Sequence, residues 1–313
     1  MTVPSVASQK KIPVSVFIIA RDEEINLPDC LHSVCGWADQ VVVVVDPRTT
    51  DQTREIALSF GCEVVENLFE SFSQQRNWTL DHAGLRHDWI FVFDADERVS
   101  PQLRRDIAHV VADPAAKSAH AARKRFIFYG RWIKHCWYGP WTVSLFRNRK
   151  ARWERREVHE HLIVDGEVGY LPGDIIHNDF KNMDAWIEKH NRYATLESAE
   201  MIRIEHGDRL VGRLFGTRVE RRRWIKDRLW GRLPLRPLWF FVYLYFVRLG
   251  FLDGAIGFRF CLMRAIFDAF TTSKVWESRW IARHPAGNYY RDLLATELAA
   301  HPHERAFYGE RES

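Results

Sequence analysis

Residues 91–97 read FVFDADE, a run of bulky apolar side chains that ends in three acidic residues within four positions. The apolar part is typical of a strand that is buried on both faces. A bare carboxylate is costly to remove from water, so the acids either mark a turn into solvent or lie beside a cation. The stretch therefore predicts a buried strand whose carboxyl end carries charged groups.

The residues before this stretch alternate between apolar runs and segments with helical spacing. The apolar runs are VSVFIIA (Val14–Ala20), QVVVVVD (Gln40–Asp46) and CEVVEN (Cys62–Asn67). Unbroken apolar strands separated by helices predict an α/β fold with a mostly parallel sheet sandwiched by helices. In such a sheet, ligands bind beyond the carboxyl ends of the strands.

Polar clusters follow these strands or lie one element further along the chain. They are Arg21–Glu24, Asp46–Asp51, Gln74–Asn77 and Asp94–Glu97. Because the carboxyl ends of parallel strands meet at one edge of a sheet, we expect the four clusters to converge there. The convergence predicts a ligand site at this edge.

The acidic cluster after the apolar run holds two carboxylates, Asp94 and Asp96, separated by one residue. In an extended segment side chains alternate with a period of two, so both would point to the same side. Paired oxygen donors suit Mg²⁺ or Mn²⁺, which would neutralise a diphosphate leaving group. The alternative is a solvated turn before the next helix, with Glu97 or Ser100 as its cap.

The second half of the chain has a different pattern. After a helix predicted over residues 101–112, strand-like segments follow, and Asp165-Gly166 is a good two-residue hairpin turn between the last two. A helix is predicted over residues 183–204 and an amphipathic helix over residues 250–270. A basic and aromatic stretch lies between these two helices.

The basic stretch runs from Gly212 to Arg236 and carries nine Lys or Arg against two acids, a net charge of +7. The apolar run from Pro237 to Val247 is about half the ~20 residues of a membrane-spanning helix. Aromatic and basic residues together are typical of a segment that lies on an anionic membrane surface. A pair of core helices with basic exposed faces is the alternative, and no motif supports nucleic-acid binding.

The composition fits a globular chain in a reducing compartment. Of the 313 residues, 46% are apolar and 27% are charged, values that argue against disorder. The five cysteines are scattered and never form a CxxC pair, so they indicate neither a zinc site nor a disulfide framework. The first residues lack the apolar core of a signal peptide, and we expect a cytoplasmic protein.

The segments VFIIARDEE, VVVVVDPRTTDQT, QQRN and FVFDADE occur in this order along the chain. The series resembles the family 2 glycosyltransferases over residues 12–105. The later segments LFRNRKARWERREVHEHLIVDGEVGYL, IIHNDF and GFLDGAIGF resemble the subgroup that adds glucose to the lipopolysaccharide inner core. The resemblance implies a GT-A fold and an inverting transfer from a nucleoside diphosphate sugar with a divalent metal ion.

The resemblance and the composition together divide the chain into four parts. Residues 12–115 would form the nucleotide-sugar-binding half of the GT-A domain, and residues 116–205 the acceptor-binding, catalytic half. Residues 206–283 would be a basic, aromatic and amphipathic helical region on the membrane surface. Residues 284–313 would be a polar tail.

Carried over by position, the resemblance assigns donor-binding roles to residues around the strand ends. Asp46 would contact the uracil or ribose, and Arg76 and Asn77 would border the diphosphate and sugar. The chain departs from the family at Pro47-Arg48-Thr49, where a Ser-Gly-Ser turn is usual, and this changes the turn beside the nucleotide. The full donor set is Ala20, Arg21, Glu23, Asp46, Arg76, Asn77, Asp94 and Ala95.

The resemblance also assigns a metal site and an acceptor side. The expected ion is Mg²⁺ or Mn²⁺, and its predicted ligands are Asp96, Asp94 and His177. A purely structural histidine is the alternative for the last of these. The acceptor side is assigned to Trp137, Tyr138 and His159.

Inverting transfer needs a carboxylate that takes the proton of the acceptor hydroxyl. Glu160, between two histidines in VHEHL, is the predicted base, because the subgroup has His-Glu at this point. Glu157 and Asp174 are rival candidates. The alternative for Glu160 is an exposed acid at a strand edge.

The sequence thus predicts an inverting glycosyltransferase that moves a hexose, glucose from UDP-glucose, onto a lipid-linked envelope glycan, the lipopolysaccharide inner core. We expect it to bind the cytoplasmic surface of the inner membrane through anionic lipids and to bind no nucleic acid. One alternative acceptor is a polyprenyl-diphosphate-linked exopolysaccharide or O-antigen intermediate. The alternative from another class is a non-catalytic, membrane-bound scaffold protein with the same fold.

Overall fold

A computed structural model describes residues 11–137, 139–154, 162–179, 181–205 and 233–284. Its first part has the alternation of strands and helices that the apolar runs predict. The helices of the described residues are α1 (Leu27–His32), α2 (Thr53–Ser59), α3 (Phe72–His82), α4 (Pro101–Ala112), α5 (Met183–Glu205), α6 (Arg236–Val242) and α7 (Gly254–Arg283).

The strands of the described residues vary in length on both sides of α4. They are β1 (Ile12–Ala20), β2 (Ala38–Val45), β3 (Glu63–Glu66), β4 (Trp89–Val92), β5 (Glu97–Val99), β6 (Ala119–Phe128), β7 (Arg131–Trp132), β8 (Trp141–Arg147), β9 (Ala151–Trp153), β10 (Leu162–Val164) and β11 (Val168–His177).

One mixed sheet joins most of these strands in the order β3-β2-β1-β4-β8-β6-β11-β5. The first four strands of this order are parallel, with Ala20 opposite Val45 and Phe17 opposite Val92. Strand β8 then runs antiparallel between β4 and β6, so the two predicted halves of the domain share a single sheet. The predicted α/β class, with a mostly parallel first half, is confirmed.

Apolar side chains bury both faces of this sheet. On one face, Ile18 of β1 lies in a core with Leu31 of α1 and Leu103 of α4, and all three are fully buried. On the other face, Phe17 lies in a second core with Phe146 of β8. Alternate residues of β1 therefore pack against opposite layers, as expected for a strand that is covered on both sides.

Two local predictions are wrong. Asp94-Ala-Asp96 is not extended: it lies in a turn that the Glu97 N–H closes by donating to the Asp94 carbonyl over 2.9 Å. The segments on either side of Asp165-Gly166 are not a hairpin, because β10 pairs with β9 and β11 pairs with β6 and β5. The partner of β10 is the strand just before it in the chain, whereas the partners of β11 are distant in sequence.

The C-terminal part of the described chain is helical. A π-helical turn (Tyr243–Val247) follows α6, and a 3₁₀ turn (Gly250–Asp253) precedes α7. Leu244 and Phe260 form a third core with Ile133 and Cys136 of the preceding domain. The predicted amphipathic helix over residues 250–270 is thus partly 3₁₀ and continues to Arg283. Most of the basic stretch and the predicted polar tail lie outside the described residues.

No single helix of the described residues is long and apolar enough to cross a membrane. The segments Arg236–Val247 and Gly250–Arg283 meet the length and composition of a span only when taken together, and they are bent by 72° where they join.

Candidate active site

The first two polar clusters meet at the carboxyl ends of β1 and β2. The Asp46 N–H donates to the Ala20 carbonyl over 3.2 Å, and Arg21 Nη1 lies 3.7 Å from Asp46 Oδ2. The Glu24 N–H donates to Asp51 Oδ2 over 2.9 Å. These strand ends therefore form one polar edge, as the order of the clusters predicts.

Asp46 is bound by the arginine that replaces the usual glycine of the turn. Arg48 donates to the buried Asp46 carboxylate through Nε at 3.0 Å and Nη2 at 2.6 Å, and its backbone N–H donates over 2.9 Å. These hydrogen bonds hold the pKa of Asp46 below its ordinary value. The carboxylate predicted to contact the base or ribose is thus paired within its own loop.

The third cluster meets the fourth through Arg76 on α3. Arg76 Nη2 donates to Asp94 Oδ1 over 2.9 Å, and Lys124 Nζ of β6 lies 3.4 Å from Asp94 Oδ2. Asn77 instead binds the backbone of Trp153. Its Nδ2 donates to the Trp153 carbonyl over 2.9 Å, and its Oδ1 accepts from the Trp153 N–H over 3.0 Å. The structure therefore brings Arg76 to the acids, whereas Asn77 holds β9.

Glu97 is part of the site rather than a helix cap. It is fully buried, and its Oε2 accepts a hydrogen bond from the Asp94 N–H over 2.9 Å. The helix α4 is capped by Ser100, whose Oγ accepts from the Leu103 N–H. Because α4 already has this cap, Glu97 is available for the other groups around the turn.

Asp96, Glu97 and His177 offer ligand atoms that all lie within 4.8 Å of one another. His177 Nδ1 is 3.3 Å from Asp96 Oδ1 and 3.8 Å from Glu97 Oε1. The pairing of β11 with β5 places His177 directly opposite Glu97, and Phe126 stacks on the imidazole at 4.9 Å. This group contains two of the three predicted metal ligands, with Glu97 beside them in place of Asp94.

Two lysines from the second half of the chain complete the charge balance. Lys124 Nζ lies 2.5 Å from Glu97 Oε1, and Lys189 Nζ of α5 lies 3.3 Å from Asp96 Oδ2. Lys189 also pairs with Asp179 over 3.2 Å. Sequence reasoning missed both lysines. The signal for Lys124 was a run of three basic residues, Arg123–Arg125, inside the strand segment AHAARKRFIF.

Glu23 lies at the rim of the same group. Its Oε1 accepts from Lys181 Nζ over 2.7 Å, and its Oε2 accepts from Asn26 Nδ2 over 2.8 Å. Burial raises the pKa of Glu23, although both hydrogen bonds act in the opposite direction. Ala95, another predicted donor-side residue, is buried in the apolar core. A short segment after β11 thus packs against the loop after β1.

The charges of the site determine its protonation states. Burial alone would raise the pKa of Asp96, but the charge of His177, a hydrogen bond with it and the charge of Lys189 hold this pKa well below its ordinary value. Burial would lower the pKa of His177, and the charge and hydrogen bond of Asp96 outweigh it and raise the pKa to about 10. Asp96 is therefore ionised and the imidazole of His177 is protonated.

The donor set fits a divalent cation. Asp96 Oδ1 and Glu97 Oε1 are buried oxygens whose close partners are cations rather than neutral donors. Carboxylate oxygens are the ligands that Mg²⁺ and Mn²⁺ prefer, and one imidazole favours Mn²⁺ of the two. The imidazole must be neutral to act as a ligand, so binding of an ion there would release a proton.

Of the predicted acceptor-side residues, the structure describes Trp137. Its ring lies 5.8 Å from that of Phe260 on α7, and the guanidinium of Arg264 lies 4.5 Å above it. The other predicted residues of this side, and the predicted base with one of its rivals, lie outside the described residues: Tyr138, His159, Glu160 and Glu157. The remaining rival, Asp174, is paired with Arg125 Nη2 over 2.6 Å.

Residues 15–165 match the family model described as "Glycosyl transferase family 2". The match spans β1 to β10 and includes the turn that carries Asp94, Asp96 and Glu97. This part of the chain is therefore a glycosyltransferase family 2 domain. Its mixed sheet with helices on both faces confirms the expected GT-A fold.

The chain is also similar to characterised and uncharacterised bacterial proteins. It is 27% identical over 290 residues to the lipopolysaccharide core biosynthesis glycosyltransferase LpsC of Rhizobium meliloti (strain 1021), covering 88% of this chain and 96% of that protein. It is 23% identical over 257 residues to the uncharacterized glycosyltransferase RT0209 of Rickettsia typhi, covering 78% and 80% of the two chains.

Among solved structures, residues 1–349 of TarS from S. aureus are similar at 12% identity with a TM-score of 0.42, over 88% of this chain and 92% of that one.

Proposed function

We propose that this protein is an inverting glycosyltransferase that moves a hexose, glucose from UDP-glucose, onto a lipid-linked glycan of the bacterial envelope. The observation that carries the proposal is the group of Asp96, Glu97 and His177 at the carboxyl end of β4 in a glycosyltransferase family 2 domain. A Mg²⁺ or Mn²⁺ ion held by these three residues would neutralise the diphosphate and stabilise it as a leaving group.

The surrounding cations support binding of a diphosphate. Arg76, Lys124 and Lys189 all contact carboxylates of the site, at 2.9, 3.4 and 3.3 Å. Preorganised positive groups stabilise charge as it develops on a leaving group, because they need little reorganisation when the bond breaks. We propose that these side chains, held in place by the carboxylates, also contact the diphosphate when the donor binds.

The transfer itself forms one bond and breaks one. The acceptor hydroxyl oxygen attacks the anomeric carbon while the bond from that carbon to the diphosphate breaks, which inverts the configuration. The hydroxyl proton goes to a carboxylate on the acceptor side. We propose Glu160 for this role, because the resembling subgroup has His-Glu at this point, whereas the rival Asp174 already forms an ion pair with Arg125 over 2.6 Å.

The acceptor is proposed to be the lipopolysaccharide inner core. Similarity to LpsC over 88% of the chain supports this acceptor, since the name of that protein places it in lipopolysaccharide core biosynthesis. A lipid-linked acceptor would bring the enzyme to the cytoplasmic surface of the inner membrane. A polyprenyl-diphosphate-linked glycan would be recognised at the same surface and is the competing outcome of the experiment below.

The test is a donor screen followed by analysis of the glycan. Purified full-length protein with Mn²⁺ is incubated with UDP-, GDP- and dTDP-hexoses and a lipid extract, and the released nucleoside diphosphate is measured. We expect release of UDP from UDP-glucose that depends on the extract. Lipopolysaccharide from a strain lacking the protein should then lack one hexose by mass.

Two results would overturn parts of the proposal. UDP binding without release of product from any donor would identify a non-catalytic protein of the same fold. Normal lipopolysaccharide in the deletion strain, with a shortened polyprenyl-linked glycan instead, would reject the inner core as acceptor while retaining the glycosyltransferase activity.

A further inference from the structure

Exposed apolar side chains are concentrated in one segment of the described chain. Of the 25 large apolar residues that are exposed in the described ranges, 12 lie between Leu233 and Leu262. We call the corner of this segment, residues 246–252, the apolar tip. Its exposed apolar residues are Phe246, Val247, Leu249, Phe251 and Leu252. A contiguous exposed surface of this kind marks an interaction site.

The backbone forces these side chains outward. The helices on either side of the tip are bent by 72° relative to each other, and the break lies between Val247 and Gly250. Leu249 turns the chain at this break with a φ of 59°, a left-handed conformation that costs a β- or γ-branched residue about 1 kcal/mol. Folding alone does not explain a strained leucine that is 45% exposed.

The charged residues around the tip are one basic residue and one buried acid, and the sequence before them is net positive. From Pro237 to Phe258, the sequence contains one acid, Asp253, whose side chain is only 4% exposed. That carboxylate accepts from the Lys134 and His135 N–H groups and pairs with the His135 ring. Arg248 is the other charged residue of this range, and the sequence before it, from Gly212 to Arg236, has a net charge of +7.

We propose that the apolar tip inserts into an anionic lipid bilayer, at the boundary between head groups and acyl chains. Segments of this type bury their apolar side chains roughly 5–10 Å deep and gain further affinity from basic residues near anionic lipid. Trp239 and Tyr243, which are both exposed beside the tip, are the side chains enriched at this depth. The net positive charge of the neighbouring sequence suits an anionic bilayer better than a second copy of this chain, which would carry the same charge.

The inserted segment is joined to the candidate active site. Phe260 of α7 packs against Phe126 at 5.3 Å, and Phe126 stacks on His177 at 4.9 Å. The bonds from Asp253 fix the tip to the segment that leads into Trp137. Insertion would therefore hold the acceptor side of the enzyme at the membrane surface, and this consequence rests on the proposed function.

The test is vesicle co-sedimentation of the full-length protein. We expect the wild type to sediment with vesicles of phosphatidylglycerol and phosphatidylethanolamine, and more weakly with phosphatidylcholine alone. Phe251→Asp/Leu252→Asp should weaken partitioning into the anionic vesicles by about tenfold or more, because two charges enter the apolar tip. Phe246→Asp/Val247→Asp is a second, independent pair, and circular dichroism checks that each variant folds.

Leu58→Asp is the matched control, because Leu58 is 48% exposed on α2, away from the tip. It should bind vesicles as the wild type does. Equal vesicle binding by the wild type and both tip variants would overturn the proposal. It would also be overturned if the tip substitutions changed only the oligomeric state, from dimer to monomer, and left vesicle binding as in the wild type. UDP binding is measured on the same samples: retained UDP binding with no vesicle binding rejects the insertion and leaves the proposed function standing.

Discussion

His177 Nδ1 at the end of β11 lies 3.3 Å from Asp96 Oδ1 in the turn before β5, although the two residues are 81 positions apart in the sequence. The imidazolium lies where it balances the charge of a buried carboxylate, which otherwise would be costly to bury. This pairing keeps Asp96 ionised. A divalent cation would therefore bind to Asp96, Glu97 and His177 in positions close to those they already have.

Lys124 tests the electrostatic part of this account. Its ammonium lies 2.5 Å from the fully buried Glu97 carboxylate. Lys124→Met should lower the free energy of unfolding by about 3 kcal/mol, because it leaves a buried charge without its closest partner. Urea unfolding followed by circular dichroism measures this loss, and added Mn²⁺ should restore part of it.

Lys150→Met is the matched control for this variant. Lys150 pairs with Asp165 over 2.6 Å, but the two side chains are 48% and 78% exposed. Exposed pairs contribute at most about 1 kcal/mol. Equal losses in the two variants would show that burial of Glu97 has no special energetic weight.

Asp253 tests the link between the C-terminal helices and the acceptor side. Asp253→Ala removes a carboxylate that accepts from two backbone N–H groups and pairs with His135. We expect a loss of about 2–3 kcal/mol in stability, since the two N–H groups lose their acceptor. The KM for the lipid acceptor should rise while the KM for the donor stays unchanged. A rise in the donor KM alone would contradict the link.

His190 gives a pH dependence with a defined sign. It stacks on Trp186 at 3.6 Å, and burial lowers its pKa from 6.5 to about 4. The neutral imidazole is favoured in the folded state, so its contribution is complete above pH 6.5 and is lost as the pH falls towards 4. When the pH falls from 7 to 5, the free energy of unfolding should decrease by about 1–2 kcal/mol because of this residue.

His190→Phe keeps the stacked ring and removes the titrating group. Urea unfolding at pH 7 and pH 5 should therefore show a smaller loss in this variant than in the wild type. The same loss in both proteins would assign the pH dependence to other groups.

Arg48 tests whether Asp46 recognises the nucleotide. The bidentate pair must open before the Asp46 carboxylate can accept from a base or ribose. Arg48→Ala should tighten UDP binding about tenfold, the value of one hydrogen bond to a charged group.

Arg54→Ala is the control, because it removes an exposed pair with Glu66 and should leave UDP binding unchanged. Weaker UDP binding by Arg48→Ala would show that Arg48 itself contacts the nucleotide-sugar donor. Calorimetry measures all three proteins.

Local patterns in the sequence were enough to predict the first half of the fold. The helix predicted over residues 101–112 is α4 with the same bounds, because Ser100 caps it and Pro101 can only start it. The apolar runs of β1, β2 and β4 became strands that are buried along most of their length, whereas CEVVEN became the exposed edge strand β3. The convergence of the polar clusters followed from the parallel order of these strands.

The rest depended on contacts between distant parts of the chain. Glu97 looked like a cap because nothing near it in sequence shows that β11 pairs with β5 and brings His177 to it. Lys189 lies 93 residues after Asp96, on helix α5. The spacing of apolar residues in that helix predicts which of its faces is buried, but not that this lysine contacts Asp96. The predicted hairpin at Asp165-Gly166 failed because β10 pairs with β9, the strand just before it, while β11 pairs with the distant β6 and β5.

The most direct test of the central claim is calorimetric titration of UDP with and without Mn²⁺. In the wild type, Mn²⁺ should strengthen UDP binding about tenfold or more, because the ion would bridge Asp96, Glu97 and His177 to the diphosphate. Asp96→Asn should abolish this gain, and Asp165→Asn, an exposed acid in an ion pair, should retain it. An Asp96→Asn protein that keeps the full effect of Mn²⁺ would contradict the assignment of the metal site.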